Sequence, residues 1–225
     1  MESQLILERT IHRLVDEFVK NPYAFFTEAD AVSIFHKFLI ENPKFNHKYV
    51  TLDGYEISTV HREFPTFFRF NDRNPIGRLD DDSGASRGHY DTVILTPEFI
   101  TSHTADTVGN RDIRTKAIVT HPPFEAVVEF KLHNNGWSKG RAIGLLAELG
   151  KLQLTLEETR LCYLIVFQRY RAPNLNRWNR WWETVKQAAE EMVEIRSIIA
   201  IQWLSVKNKP EIFSFGPWLE KYSGC

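Results

Sequence analysis

Apolar positions recur at helical spacing from the start of the chain. Leu5, Ile11, Leu14, Val15 and Phe18 predict an amphipathic helix over residues 3–19, which "NPY" stops. A second helix is expected from "FTEAD". There Thr27 and Asp30 have the spacing of a capping box, Glu28 falls in the first turn, and Val32, Phe35, Phe38 and Leu39 supply the apolar stripe. Beyond a polar loop the pattern changes to β-branched and aromatic runs. "STVHREFPTFFRF", "GHYDTVIL" and "EAVVEFKL" are consistent with three strands of one sheet.

Residues 139–154 return to helical spacing through Ile143, Leu146, Leu149 and Leu152. "RLCYLIVFQRY" is a near-continuous apolar run, as expected of a central strand covered on both faces. A helix is expected over about 176–196, with Trp178, Trp181, Val185, Ala189, Met192 and Val193 on one side. "SIIAIQWLSV" supplies a last strand, and "NKPEIFSFGPWLEKYSGC" reads as a tail with aromatic anchors. The order α-α-β-β-β-α-β-α-β predicts an α/β fold with a mixed central sheet flanked by helices. "TPEFITSHTADTVGNRDIRTKAIVTHPP" is long for a connection, which suggests a functional loop or an inserted hairpin around "KAIVT".

Composition narrows the setting. The 225 residues, 43% hydrophobic and 25% charged, fit a single domain with a sizeable core. Only Cys162 and Cys225 are present, so there is no disulfide framework or CxxC metal knuckle, and a reducing, cytoplasmic compartment is the default. The N-terminus lacks a signal-peptide pattern, and no apolar run approaches the ~20 residues of a membrane span. Net charge is −1, so a nucleic-acid partner must be held by a local basic patch.

Charge inside a strand is the first sign of chemistry. In "EAVVEFKLHN", alternation points Glu129 and Lys131 to one face while Val128, Phe130 and Leu132 fill the other. Such a pair is a satisfied ion pair, a solvated strand end or part of a site. Asp91, near the start of "YDTVIL", adds a second carboxylate if the two strands are neighbours. Hard cations such as Mg²⁺ take oxygen ligands, one or two of them from protein carboxylates, and Asp91 with Glu129 would suffice. A lysine on the same face can orient the attacking water and offset charge on a pentacovalent phosphate, and Lys131 is placed for that.

These residues resemble a known family. "EADAVSIFHKFL", "VHREFP", "RGHYDTVIL" and "VVEFKL", followed by a helix and an apolar strand, look like the PD-(D/E)XK nuclease superfamily, the restriction-endonuclease-like fold. The resemblance covers most of residues 27–170. It implies an αβββαβ core, to which this chain would add an N-terminal helix, an insertion at about 95–124, and a helix, strand and tail at 174–225. It further implies a Mg²⁺- or Mn²⁺-dependent nuclease acting on nucleic acid, with DNA the expected substrate and 3′-oxygen expelled by in-line attack. Carried over by position, Glu28 matches the helical acid, Asp91 the metal-binding Asp, Glu129 the second ligand and Lys131 the catalytic lysine. Glu63 matches an acid of the first core strand, and the Phe130 carbonyl is a further metal ligand. The Asp-to-Glu spacing is longer than the family's compact hairpin, and Tyr precedes the Asp where many members have Pro.

A basic, aromatic segment follows. "RLCYLIVFQRYRAPNLNRWNRWWETVK" holds Arg160, Arg169, Arg171, Arg177, Arg180 and Lys186 against the single acid Glu183, the clustering that phosphate neutralisation needs. Trp178, Trp181, Trp182 and Val185 have core-facing spacing, whereas the arginines are expected to face solvent or phosphate. Arg169 and Arg171 are the favoured backbone contacts, and Lys139 in "GWSKGRAIG" could touch a phosphate. Other patterns carry no chemistry. "GLLAELGK" has five residues between its glycines and no Ser or Thr after the lysine, so it is not a P-loop. The alternatives to a nuclease are an inactive module of the same fold that binds nucleic acid or a protein partner, and an interaction protein in which Glu129 and Lys131 are an ion pair. A homodimer is possible for an enzyme that cuts both strands.

Overall fold

The computed structural model describes residues 1–71, 74–78, 86–109, 122–134, 139–170, 175–203 and 210–220. Two helices open the chain, α1 (Glu2–Lys20) and α2 (Glu28–Ile40), joined by a 3₁₀ turn at Pro22–Ala24. Leu7, Ile11, Leu14, Val15 and Phe18 form the buried stripe of α1. The start of α2 is fixed by its cap: Thr27 Oγ1 accepts from the Asp30 amide, and Asp30 Oδ2 accepts from the Thr27 amide at 2.8 Å.

A short hairpin, β1 (Lys48–Val50) and β2 (Glu56–Ser58), precedes the main sheet. The remaining strands are β3 (Val60–Asn71), β4 (Asn74–Arg78), β5 (Ser86–Leu95), β6 (Phe124–His133), β7 (Cys162–Tyr170), β8 (Ile195–Trp203) and β9 (Glu211–Phe215). They form one sheet in the order β4-β3-β5-β6-β7-β8-β9. β6, β7 and β8 run parallel and every other pairing is antiparallel, so the sheet is mixed. Helix α5 (Lys139–Thr155) connects β6 to β7 and α6 (Leu175–Glu191) connects β7 to β8. Parallel neighbours require such crossovers.

The helices cover both faces. One core packs α1 and α2 on Val128, Phe130, Ile165 and Phe167; the other packs α5 and α6 on Val93, Val127, Leu164 and Val166. Strand β7 is buried from Cys162 to Arg169, which accounts for its unbroken apolar run. The fold is therefore α/β with a mixed sheet flanked by helices, as the pattern predicts. Among the described residues no helix is long and apolar enough to cross a membrane.

Several elements depart from the expectation. The segment between β5 and β6 contains two short helices, α3 (Pro97–Thr101) and α4 (Ala105–Gly109), and "KAIVT" lies outside the described residues. Helix α6 stops at Glu191, because the Ile195 amide turns back to the Met192 carbonyl at 3.0 Å and Val193 is left exposed. The expected tail supplies the edge strand β9, paired with β8 from Ser197↔Phe215 to Ile201↔Glu211. Trp218, beyond it, stacks on His12 and packs at a tilt against Tyr163.

Candidate functional site

The ladder between β5 and β6 runs from Leu95↔Phe124 to Thr92↔Val128. One residue further, Asp91 Oδ2 accepts the Phe130 amide hydrogen at 2.6 Å. A side-chain carboxylate thus takes the donor that a backbone carbonyl would otherwise satisfy. Continuing the register sets Asp91 across from Glu129, and the field of Asp91 helps raise the Glu129 carboxyl. Glu63 lies between the pairs Arg62↔Thr92 and Phe64↔Tyr90, so it is across from Asp91 on the other side. Three acids on β3, β5 and β6 therefore occupy one row of the sheet.

Alternation sends Val128 and Phe130 of β6 into the α1–α2 core, and Val127 into the α5 core. Glu129 and Lys131 share the α5 side with Val127, and α5 answers them with charge. Lys151 Nζ lies 2.7 Å from Glu129 Oε1 and 2.6 Å from Glu148 Oε2, and donates to the His89 carbonyl at 3.2 Å. The other oxygen of Glu148 lies 3.0 Å from Lys131 Nζ. Lys131 Nζ also reaches Glu28 Oε2 at 3.5 Å, and the Leu132 amide donates to Glu28 Oε1 at 3.4 Å. The result is a chain of alternating charge, Glu28–Lys131–Glu148–Lys151–Glu129. The Glu129 and Lys131 side chains are therefore not simply each other's ion-pair partners.

Burial governs the protonation of this chain. Only 1% of the Glu129 side chain is exposed, and desolvation pushes its carboxyl well above the ordinary range against the pull of Lys151. Burial also disfavours charge on Lys131, yet Glu148, Glu129 and Glu28 together raise its ammonium above the usual value. Lys151 is raised in the same way by Glu129 and Glu148 against its own desolvation. Burial would lift Glu148, but Lys151 and Lys131 outweigh it and hold the carboxyl below its usual range.

The structure brings Asp91, Glu129, Phe130, Lys131 and Glu28 together. Glu63 stays outside these ion pairs. It is exposed, has φ +50°, and lines a cleft of about 420 Å³ with Ala29, Val32 and Ser33 of α2 and with Arg62. Left-handed backbone at a non-glycine residue costs on the order of 1–2 kcal/mol. Among the described residues no group of three His, Cys, Asp or Glu side chains has metal-holding geometry.

Arg169 requires a correction. It is buried, with 6% exposure, and its guanidinium donates to Asn134 Oδ1 and to the Pro22 carbonyl at 3.1 Å. It ties the end of β7 to the segment after β6 and to the α1–α2 turn, and does not face solvent as expected. Arg171 lies outside the described residues, as do the side chains of Arg177, Arg180 and Lys139. Trp182 and Val185 of the same segment are core residues, and Trp182 packs on Phe213.

Glu148 and Lys151 are the residues that sequence reasoning passes over. The expected α5 stripe of Ile143, Leu146, Leu149 and Leu152 is rotated in the structure. Ala142, Leu145, Leu149 and Leu152 are buried and Ile143 is 46% exposed. Glu148 and Lys151 flank Leu149 and Leu152 on that buried face, and two charges beside a core stripe were the available signal. No family model, curated protein or solved structure matches this chain.

Proposed function

We propose that the chain is a divalent-metal-dependent nuclease that hydrolyses phosphodiester bonds in nucleic acid, with DNA as substrate. The carrying observation is the convergence of Asp91, Glu129 and Lys131 where β5 and β6 part, with Glu28 of α2 seated on the Lys131 ammonium. On this reading α2, β3, β5, β6, α5 and β7 are the αβββαβ core of a restriction-endonuclease-like domain, and β4 is an added hairpin strand.

The donor set fits a hard cation. Asp91, Glu129 and the Phe130 carbonyl would hold it, with Glu28 and Glu63 as further acids nearby, because Mg²⁺ and Mn²⁺ prefer oxygen ligands and few from protein. When bound, the ion supplies an acidified water and a positive charge against the phosphate. The chain's own residues do the rest. Lys131 is held charged by four acids, Glu148, Glu129, Glu28 and Asp91, so it cannot take a proton; it donates hydrogen bonds that orient the attacking water and offset charge on the phosphate. The buried Glu129 wall excludes bulk water from one side of that position. Arg171, Arg177, Arg180 and Lys139 remain candidates for steadying the nucleic-acid backbone.

The test is cleavage of labelled duplex and single-stranded DNA in Mg²⁺ and Mn²⁺ by wild type and Lys131→Ala. Cleavage by wild type with a loss of at least a hundredfold in the variant supports the reading. Equal rates from both proteins, each free of contaminating nuclease, reject it.

A second reading rests on one observation. Glu129 is already neutralised by Lys151 at 2.7 Å, as it would be in a module of this fold that binds nucleic acid or a protein without turnover. That reading requires Mn²⁺ to leave the melting temperature unchanged.

A further inference from the structure

Lys151 Nζ lies within 2.7 Å of two carboxylate oxygens, Glu129 Oε1 and Glu148 Oε2, and within 3.2 Å of the His89 carbonyl oxygen. Three oxygens from β5, β6 and α5 thus converge on one point, and an ammonium fills it. Oxygen donors of this type, two carboxylates and a backbone carbonyl, are also what Mg²⁺ and Mn²⁺ select. The lysine side chain is only 8% exposed there, so the position is built into the fold and is not a chance surface pairing. Charge also permits a divalent occupant. The ion-paired chain Glu28–Lys131–Glu148–Lys151–Glu129 carries one net formal negative with Lys151 in place and two once it is withdrawn, the charge one divalent ion would cancel.

We infer that this position is a cation site whose resident is the Lys151 ammonium, and that a divalent metal enters by exchange with it. Glu148 and the His89 carbonyl then act as metal-site oxygens beside Glu129. The inference rests on the nuclease reading above and adds to it two ligands and a built-in competitor. Lysine suits the second role, since its ammonium rides on a flexible four-carbon stem and can swing out without moving the helix that carries it. The exchange sets a cation beside the buried carboxylates both before and after it. It also sets the metal affinity, because the ion must displace an ion pair to bind.

Two measurements on the full chain test this. In the first, Mn²⁺ is titrated calorimetrically into wild type, Lys151→Met and Lys151→Met/Glu148→Gln. The expected result is binding at least tenfold tighter in Lys151→Met than in wild type, with most of the gain lost on adding Glu148→Gln. Wild-type binding with no gain in Lys151→Met overturns the exchange and leaves the nuclease reading standing. No binding by any of the three overturns both.

The second measurement needs no variant and covers the case in which Lys151→Met fails to fold. Wild type is acetylated briefly with and without saturating Mn²⁺, and Lys151 modification is read by mass spectrometry. Exchange requires Lys151 labelling to rise severalfold with metal while surface lysines stay constant. Unchanged labelling of Lys151 at saturating Mn²⁺ refutes it.

Discussion

The Asp91 carboxylate accepts the Phe130 amide hydrogen at 2.6 Å, one residue beyond the last ladder pair of β5 and β6. The contact gives Asp91 a structural duty separate from any metal, and the two duties can be separated. Asp91→Asn keeps an acceptor for the amide and should unfold in urea within about 1 kcal/mol of wild type; on the proposed nuclease reading it should also lose DNA cleavage. Asp91→Ala leaves the amide of buried Phe130 without this acceptor and should cost about 1–3 kcal/mol in the same experiment. Equal destabilisation by both would mean that the amide bond contributes nothing.

Glu129 and Lys151 form a buried pair, 1% and 8% exposed. Lys151→Met strands the Glu129 carboxylate and should destabilise by about 3–5 kcal/mol in metal-free buffer, whereas Glu129→Gln leaves Lys151 with Glu148 at 2.6 Å and should cost less. The double variant should recover much of that loss, and a double-mutant cycle by chemical denaturation gives the coupling. Additive losses would show that the pair is not coupled.

His133 is buried at the end of β6, and burial with help from Arg141 and Lys131 pushes its imidazole down to about 4 from 6.5. The folded state therefore binds fewer protons than the unfolded state between those values. Stability contributed by the neutral ring is fully present above pH 6.5, declines as pH falls, and is exhausted near pH 4, a total of about 3 kcal/mol at most. Measured by denaturation across this range, the stability of wild type should fall relative to that of His133→Gln as pH drops from 6.5 to 4, by about 3 kcal/mol at the limit. A parallel pair of curves would exclude His133 as the source.

Glu63 holds φ +50° within β3. Glycine adopts that backbone without the Cβ clash, so Glu63→Gly should match or exceed wild-type stability by up to about 1 kcal/mol, whereas Glu63→Ala should not. If the chain is the proposed metal-dependent nuclease and this carboxylate serves its ion, both variants should cut DNA more slowly. A melting temperature lower in Glu63→Gly than in Glu63→Ala would argue against strain at this position.

The elements that announce themselves in the sequence do so through one period held over many residues. Helix α1, the capped start of α2, and the buried β7 are of this kind, as are the strands that carry Asp91, Glu129 and Lys131. Short elements were hidden: β4, β9, α3 and α4 span only five residues each, too few to display a period. Arg169 misled because a charged residue at a strand end normally reaches water, and the meeting of Asn134 with the Pro22 carbonyl, which a sequence does not display, gives it partners inside. Glu148 and Lys151 were masked by their neighbours. The leucines of "GLLAELGK" fix a helix but not its rotation, and a small rotation decides whether the pair faces solvent or Glu129.

Glu148 divides its two oxygens between two lysines, Oε1 to Lys131 and Oε2 to Lys151. A carboxylate shared in this way acts as a balance beam. With Lys151 drawn off and nothing in its place, the negative charge on Glu148 would have only one ammonium left to hold, and its grip on Lys131 would tighten. On the exchange proposed above, an ion of higher charge loads the vacated arm, the other arm slackens, and Lys131 becomes most free to turn toward a phosphate when the cation position holds a metal.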